Sequence, residues 1–131
     1  MFVDASAIVA IIVGESDADA LSAKLAAADS VYSSAIAVYE TTLGVARTLN
    51  MDVSSAEELV GDLLSDARAQ IIPIDAEIGR GAIGAFTRFG RPQHPARLNM
   101  GDCFAYACAK SLGMPLLYKG DDFPQTDLAL G

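Results

Sequence analysis

Short apolar runs alternate with longer stretches in which apolar residues recur every three or four positions, and the alternation continues along the whole chain. The first run, Phe2-Val3, ends in an acid, Asp4, and passes straight into Ser6-Ala7-Ile8-Val9-Ala10-Ile11-Ile12, a helix stopped by Gly14. Glu15 to Ala28 predicts a second helix with a polar first turn, Val31-Tyr32-Ser33 a short strand, and Ser34 the cap of a helix running to about Leu49. Ser54 or Ser55 opens the next helix, which ends near Arg68. Residues 69–74 form a strand whose Pro73 places it at an edge or near its end. Asp75 caps a helix to about Phe89, and an irregular stretch covers 90–97. A further helix opens at Asn99 or Gly101, with Phe104, Ala105, Cys108 and Leu112 as its core-facing stripe and Gly113 as its stop. Residues 115–118 are the last strand, and the tail from Phe123 carries no firm assignment.

Strands alternating with helices imply an α/β fold, a parallel sheet covered on both faces, and ligands bind such sheets at the carboxyl ends of the strands. The 131 residues make one domain, 1–131, of a size that buries about two-thirds of its unfolded surface. An apolar share of 52% suggests a well-filled core and some surface for self-association. No apolar run approaches the roughly 18 residues of a membrane span, and the chain enters structure without a basic leader, so a cytoplasmic protein is expected. Cys103 and Cys108 are five apart on one helix and point about 140° from each other, unsuited to pairing or to sharing a metal.

The net charge of −8 excludes attraction to nucleic acid over the whole surface, yet residues 80–120 hold six of the nine basic residues against one acid, Asp102. The informative acids are those on apolar faces. Glu40 lies four residues after Ile36 and three before Leu43. Asp102 falls in a first turn, where it can cap its helix, and its own face continues as Ala105 and Tyr106. Asp4 ends the first strand, and Asp121 and Asp122 follow the last, so all of these acids can converge on one edge of the sheet.

Several carboxylates at one site repel one another and take up protons unless a cation holds them. An all-oxygen donor set points to Mg²⁺ or Mn²⁺, and no Cys or His cluster is available for zinc. Two such ions about 4 Å apart suit hydrolysis of a phosphodiester by an activated water. Ser6 is placed either to cap its helix or to contact a phosphate, and Arg91 and Arg97 are candidates for phosphate contacts. His94, the only histidine, reads as a solvated loop residue, and Tyr32, Tyr39, Tyr106 and Tyr118 read as core or interface.

With Met1-Phe2-Val3-Asp4-Ala5-Ser6-Ala7, Glu40 in the third helix, Leu98-Asn99-Met100-Gly101-Asp102-Cys103-Phe104-Ala105-Tyr106-Ala107, and Pro115-Leu116-Leu117-Tyr118-Lys119-Gly120-Asp121-Asp122-Phe123, the chain resembles PIN-domain proteins, specifically the ribonuclease toxins of VapBC-type toxin–antitoxin pairs. The likeness spans nearly the whole chain. It implies a three-layer α/β/α domain with a short parallel sheet, a homodimer, Mg²⁺-dependent cleavage of RNA, and inhibition by a VapB-type antitoxin whose basic tail enters the acidic site. Asp4, Glu40 and Asp102 match the family's first three acids. For the fourth, gapless spacing favours Asp121, while Asp122 precedes the Phe123 typical of that motif.

Three other readings remain. Residues 79–84 fit G-x-G-x-x-G, but in the wrong register for a dinucleotide site, because Asp75 already caps the helix; packing, here against a second subunit, is the alternative role for these glycines. A receiver-like, Mg²⁺-binding phosphoacceptor domain also gathers acids and a lysine, here Lys119, yet it requires paired acids after the first strand, where Asp4 stands alone. A non-enzymatic, partner-binding dimer requires all the misplaced acids to be structural.

Overall fold

In the computed structural model, which describes residues 1–91, 94–120 and 123–128, four short strands form one parallel sheet: β1 (Phe2–Val3), β2 (Tyr32–Ser34), β3 (Gln70–Ile72) and β4 (Leu116–Leu117), in the order β3-β2-β1-β4. Around it lie α1 (Ala5–Val13), α2 (Ala18–Ala27), α3 (Ala35–Leu49), α4 (Val53–Asp66), α5 (Ala76–Phe89) and α6 (Met100–Leu112). Phe2 pairs with Tyr32 on one side and Leu116 on the other, and Val3 with Leu117.

Successive strand residues face opposite sides of a sheet, which divides the core in two. Phe2 and Leu116 pack with Ile78, Phe89, Leu98 and Cys108 under α5 and α6, whereas Val3 and Leu117 pack with Ile8, Val45, Val60 and Leu64 under α1, α3 and α4. Both faces are covered, and the two strands β1 and β4 are accordingly wholly apolar rather than alternating. The result is the parallel sheet covered on both faces that the pattern predicts, and the three-layer α/β/α fold that the resemblance implies.

The capping residues differ in places from the sequence reading. Asp4, not Ser6, caps α1, its carboxylate accepting the Ser6 N–H at 3.0 Å. Asp52 rather than either serine caps α4, accepting the Ser55 N–H at 2.7 Å, and this bond lowers its pKa. Helix α2 starts three residues later than its polar first turn suggested, because Glu15 and Asp17 lie outside it and hold Lys119. Asn99 caps α6 in a capping box with Asp102.

Residues 79–84 sit inside α5, and Gly81 turns toward α6, where a Cβ would stand 3.3 Å from that of Ala107. The packing partner of Gly81 is therefore the neighbouring helix α6. His94 is half-buried rather than solvated: its Nδ1 accepts the Ala96 N–H at 3.0 Å and its ring meets Phe89 edge-on at 5.1 Å. The tail forms a short 3₁₀ turn, Phe123–Gln125, with Phe123 buried against Tyr118. Asp127 then accepts hydrogen bonds from Tyr106, Arg88 and Lys110, tying the tail to α5 and α6. Among the described residues no helix is long and apolar enough to cross a membrane.

Candidate active site

The carboxyl edge of β1 is the switch point of the sheet, since the chain leaves β1 toward β2 on one side and returns to it as β4 on the other. Asp4 stands there, 4% exposed, in extended backbone between β1 and α1. One oxygen, Oδ2, accepts both the backbone N–H of Ser6 and its hydroxyl, the latter at 2.6 Å. The same hydroxyl accepts the Lys119 N–H at 2.9 Å, just beyond β4. Ser6 thus joins the first acid to the segment that leads on to Asp121, and its hydroxyl hydrogen is committed to Asp4 rather than offered to a phosphate. Burial pushes the Asp4 pKa up, and the bonds from Ser6 only partly oppose this.

Glu40 enters from the second turn of α3, half-buried. Its pKa is pushed up to about 7, first by burial, then by the charges of Asp4 and Asp102. Glu40 therefore feels two other carboxylates, Asp4 at the end of β1 and Asp102 in the first turn of α6. Asp102 serves the helix as well, its Oδ2 accepting the Asn99 N–H at 3.0 Å while its own N–H donates to Asn99 Oδ1 at 2.9 Å. The capping role and membership of the acid cluster, which the sequence offers as alternatives, coexist in one side chain. Asp121 and Asp122 lie outside the described residues.

Among the described residues no Lys or Arg pairs with Asp4 or Glu40. Lys119, whose backbone N–H meets the Ser6 hydroxyl, turns its side chain to Glu15 and to Asp17, the latter at 3.4 Å, and its hydrogen bond to Glu15 raises its pKa. That pairing removes the lysine a receiver-like site would need. Arg88 and Lys110 are likewise held by Asp127. Half of the six cations in the 80–120 region are thus matched by acids from outside it, which a windowed charge count could not register. Arg91 and Arg97 are exposed on the loop closed by the Gly90–Leu98 bridge, just ahead of α6.

A short parallel sheet between two helical layers is the fold implied by the sequence resemblance, and a family model described as PIN domain matches residues 1–128. The chain belongs to the PIN domain family. Ribonuclease VapC42 of Mycobacterium tuberculosis is 42% identical over 129 residues, covering 98% of this chain and 96% of that protein. A VapC ribonuclease of Rhizobium meliloti is 40% identical over 139 residues, covering 97% and 98%. The crystal structure of M. tuberculosis VapC20, a sarcin–ricin loop cleaving toxin, matches with a TM-score of 0.77 over 98% of this chain and 95% of that one; at 15% identity the likeness is one of fold.

PIN-domain nucleases as a class depend on divalent metal ions, and the donor chemistry here suits one: the carboxyls of Asp4 and Glu40 both have raised pKa values, and among the described residues neither has a Lys or Arg partner. Among the described residues no three of these side chains form a finished cage, Asp102 Oδ2 being turned to Asn99.

Proposed function

We propose that this chain is a Mg²⁺-dependent endoribonuclease, the toxin of a VapBC-type pair, acting as one PIN domain over residues 1–131 in the cytoplasm. The observation that carries the reading is the placement of Glu40 at the switch point of the sheet, where it feels the charges of both Asp4 and Asp102 and where, among the described residues, no Lys or Arg pairs with Glu40 or Asp4. Asp4, Glu40, Asp102 and Asp121 are the proposed metal ligands, with Asp122 as the alternative fourth acid. The bound cation, Mg²⁺ or Mn²⁺, supplies Lewis acidity at the scissile phosphate. Ser6 holds Asp4 in orientation through its hydroxyl, and the acid-free loop carrying Arg91 and Arg97 offers the RNA backbone positive charge.

The same acidic centre suits the basic tail of a VapB-type antitoxin. A homodimer is supported by an apolar groove of about 640 Å³ between α5 and α6, where Ile83 and Met100, 68% and 65% exposed, project beside a floor of Ala82 and Cys103. A two-fold interface needs projections and a recess on one surface, and this face holds both, so a second copy is its proposed occupant.

The test is cleavage of pooled total RNA by the purified, antitoxin-free chain with Mg²⁺ or EDTA, with light scattering on the same preparation. Discrete fragments that disappear in EDTA, from a particle of two chains, are expected. A folded protein that cuts equally well in EDTA rules out the metal-dependent reading, and a monomer rules out the dimer.

A further inference from the structure

Gly101 is buried at the second position of α6, and the Glu40 carboxylate fills the space where its side chain would be. A Cβ built there would lie 2.1 Å from Oε2 and 2.3 Å from Oε1 of Glu40, although ordinary contact begins at 3.4 Å. Backbone conformation does not ask for glycine here, because Gly101 is absent from the glycines with positive φ. A glycine in a helix weakens it relative to alanine, so what this one provides is room. The helix that carries Glu40 cannot retreat to make more. At Gly44, one turn further along α3, a Cβ would stand 3.2 Å from Val9 of α1, so α3 is already seated closely on its other neighbour.

We propose that Gly101 is a positioning residue, whose missing side chain seats the Glu40 carboxylate over the first turn of α6 beside Asp4 and Asp102. The inference rests on the reading of Glu40 as a metal ligand. An alanine methyl meets the free end of a flexible side chain, not backbone, so the carboxylate gives way and swings toward solvent while both helices stay in place. Such a displacement is on the order of 1 Å, enough to cost about 10²-fold in rate when a catalytic geometry depends on it.

Gly101→Ala is therefore expected to keep or raise the melting temperature and to cut RNA about 10²-fold more slowly, through kcat with KM for RNA unchanged. Gly61→Ala, in α4 with open space around it, is the control and should cut at the wild-type rate. In Glu40→Asp, whose carboxylate is drawn back by one methylene, adding Gly101→Ala should change the rate by less than about threefold, since the two residues act through one contact. Penalties that simply multiply overturn the proposal. So does a folded Gly101→Ala protein at wild-type speed while Glu40→Gln is inactive. An active Glu40→Gln instead removes the metal-ligand reading of Glu40 and this inference with it. If Gly101→Ala unfolds, Glu40→Ala in the same chain decides: recovery of the fold identifies Glu40 as the obstacle, and continued unfolding overturns the proposal.

Discussion

Asp4→Asn is expected to reduce RNA cleavage by about 10²–10³-fold, the order of loss when one electrostatic contact to developing charge is removed, while the protein stays folded. The substitution separates chemistry from structure unusually well at this position. Asparagine caps a helix as effectively as aspartate, and its amide oxygen can occupy the place of Oδ2, which accepts both bonds from Ser6. The charge is lost, and the second oxygen becomes an NH2 group. That charge is buried, and burial raises its pKa, so the metal-free variant should melt at the wild-type temperature or above it. Matched melting curves and a time course of RNA cleavage check both halves. Retained cleavage in a folded Asp4→Asn protein removes Asp4 from the metal-ligand set. A large fall in melting temperature makes it a structural cap instead.

The largest effect on stability is expected from Phe2→Ala. Phe2 is 0% exposed, on a central strand, and packs in the cluster that contains Leu98, Tyr106 and Leu116. Truncating a buried phenylalanine costs about 3–5 kcal/mol, a large part of the roughly 5–15 kcal/mol that holds such a chain folded. The backbone bond from the Phe2 N–H to Pro115 O, 3.0 Å, survives the change, so the loss comes from the buried ring surface given up and the cavity it leaves. Ile71→Ala on the edge strand β3, 48% exposed, should stay within about 0.5 kcal/mol. Urea unfolding followed by circular dichroism measures both. Similar midpoints for the two variants would contradict the two-sided core described here. Because β1 also carries Asp4, Phe2→Ala should lose cleavage in parallel with folding, unlike Asp4→Asn.

The order and type of the elements could be read from the sequence because they depend on spacing along the chain. Gly14 and Gly113 end α1 and α6 in left-handed conformation, as their positions predict. The faces of Glu40 and Asp102 follow from helical spacing in the same way, and their closeness in the structure is felt in the raised pKa of Glu40. The cap of α4, and the choice of cap at α1, are not legible from spacing because serine and aspartate compete for the same role. At Asp52 and Asp4 the carboxylate took it, and the neighbouring serine became a donor or an ordinary helical residue.

By itself, then, the sequence determined an α/β chain with acids at strand ends and in helical turns that open toward one edge, since both helix and strand periodicity are local properties of neighbouring residues. Only the tertiary structure decided which charges cancel. Lys119 meets Glu15 across 104 positions and Tyr106 meets Asp127 across 21, separations that no spacing rule connects. It also decided that a glycine in α6 makes room for an acid from α3, because a void exists only once two surfaces have been packed together.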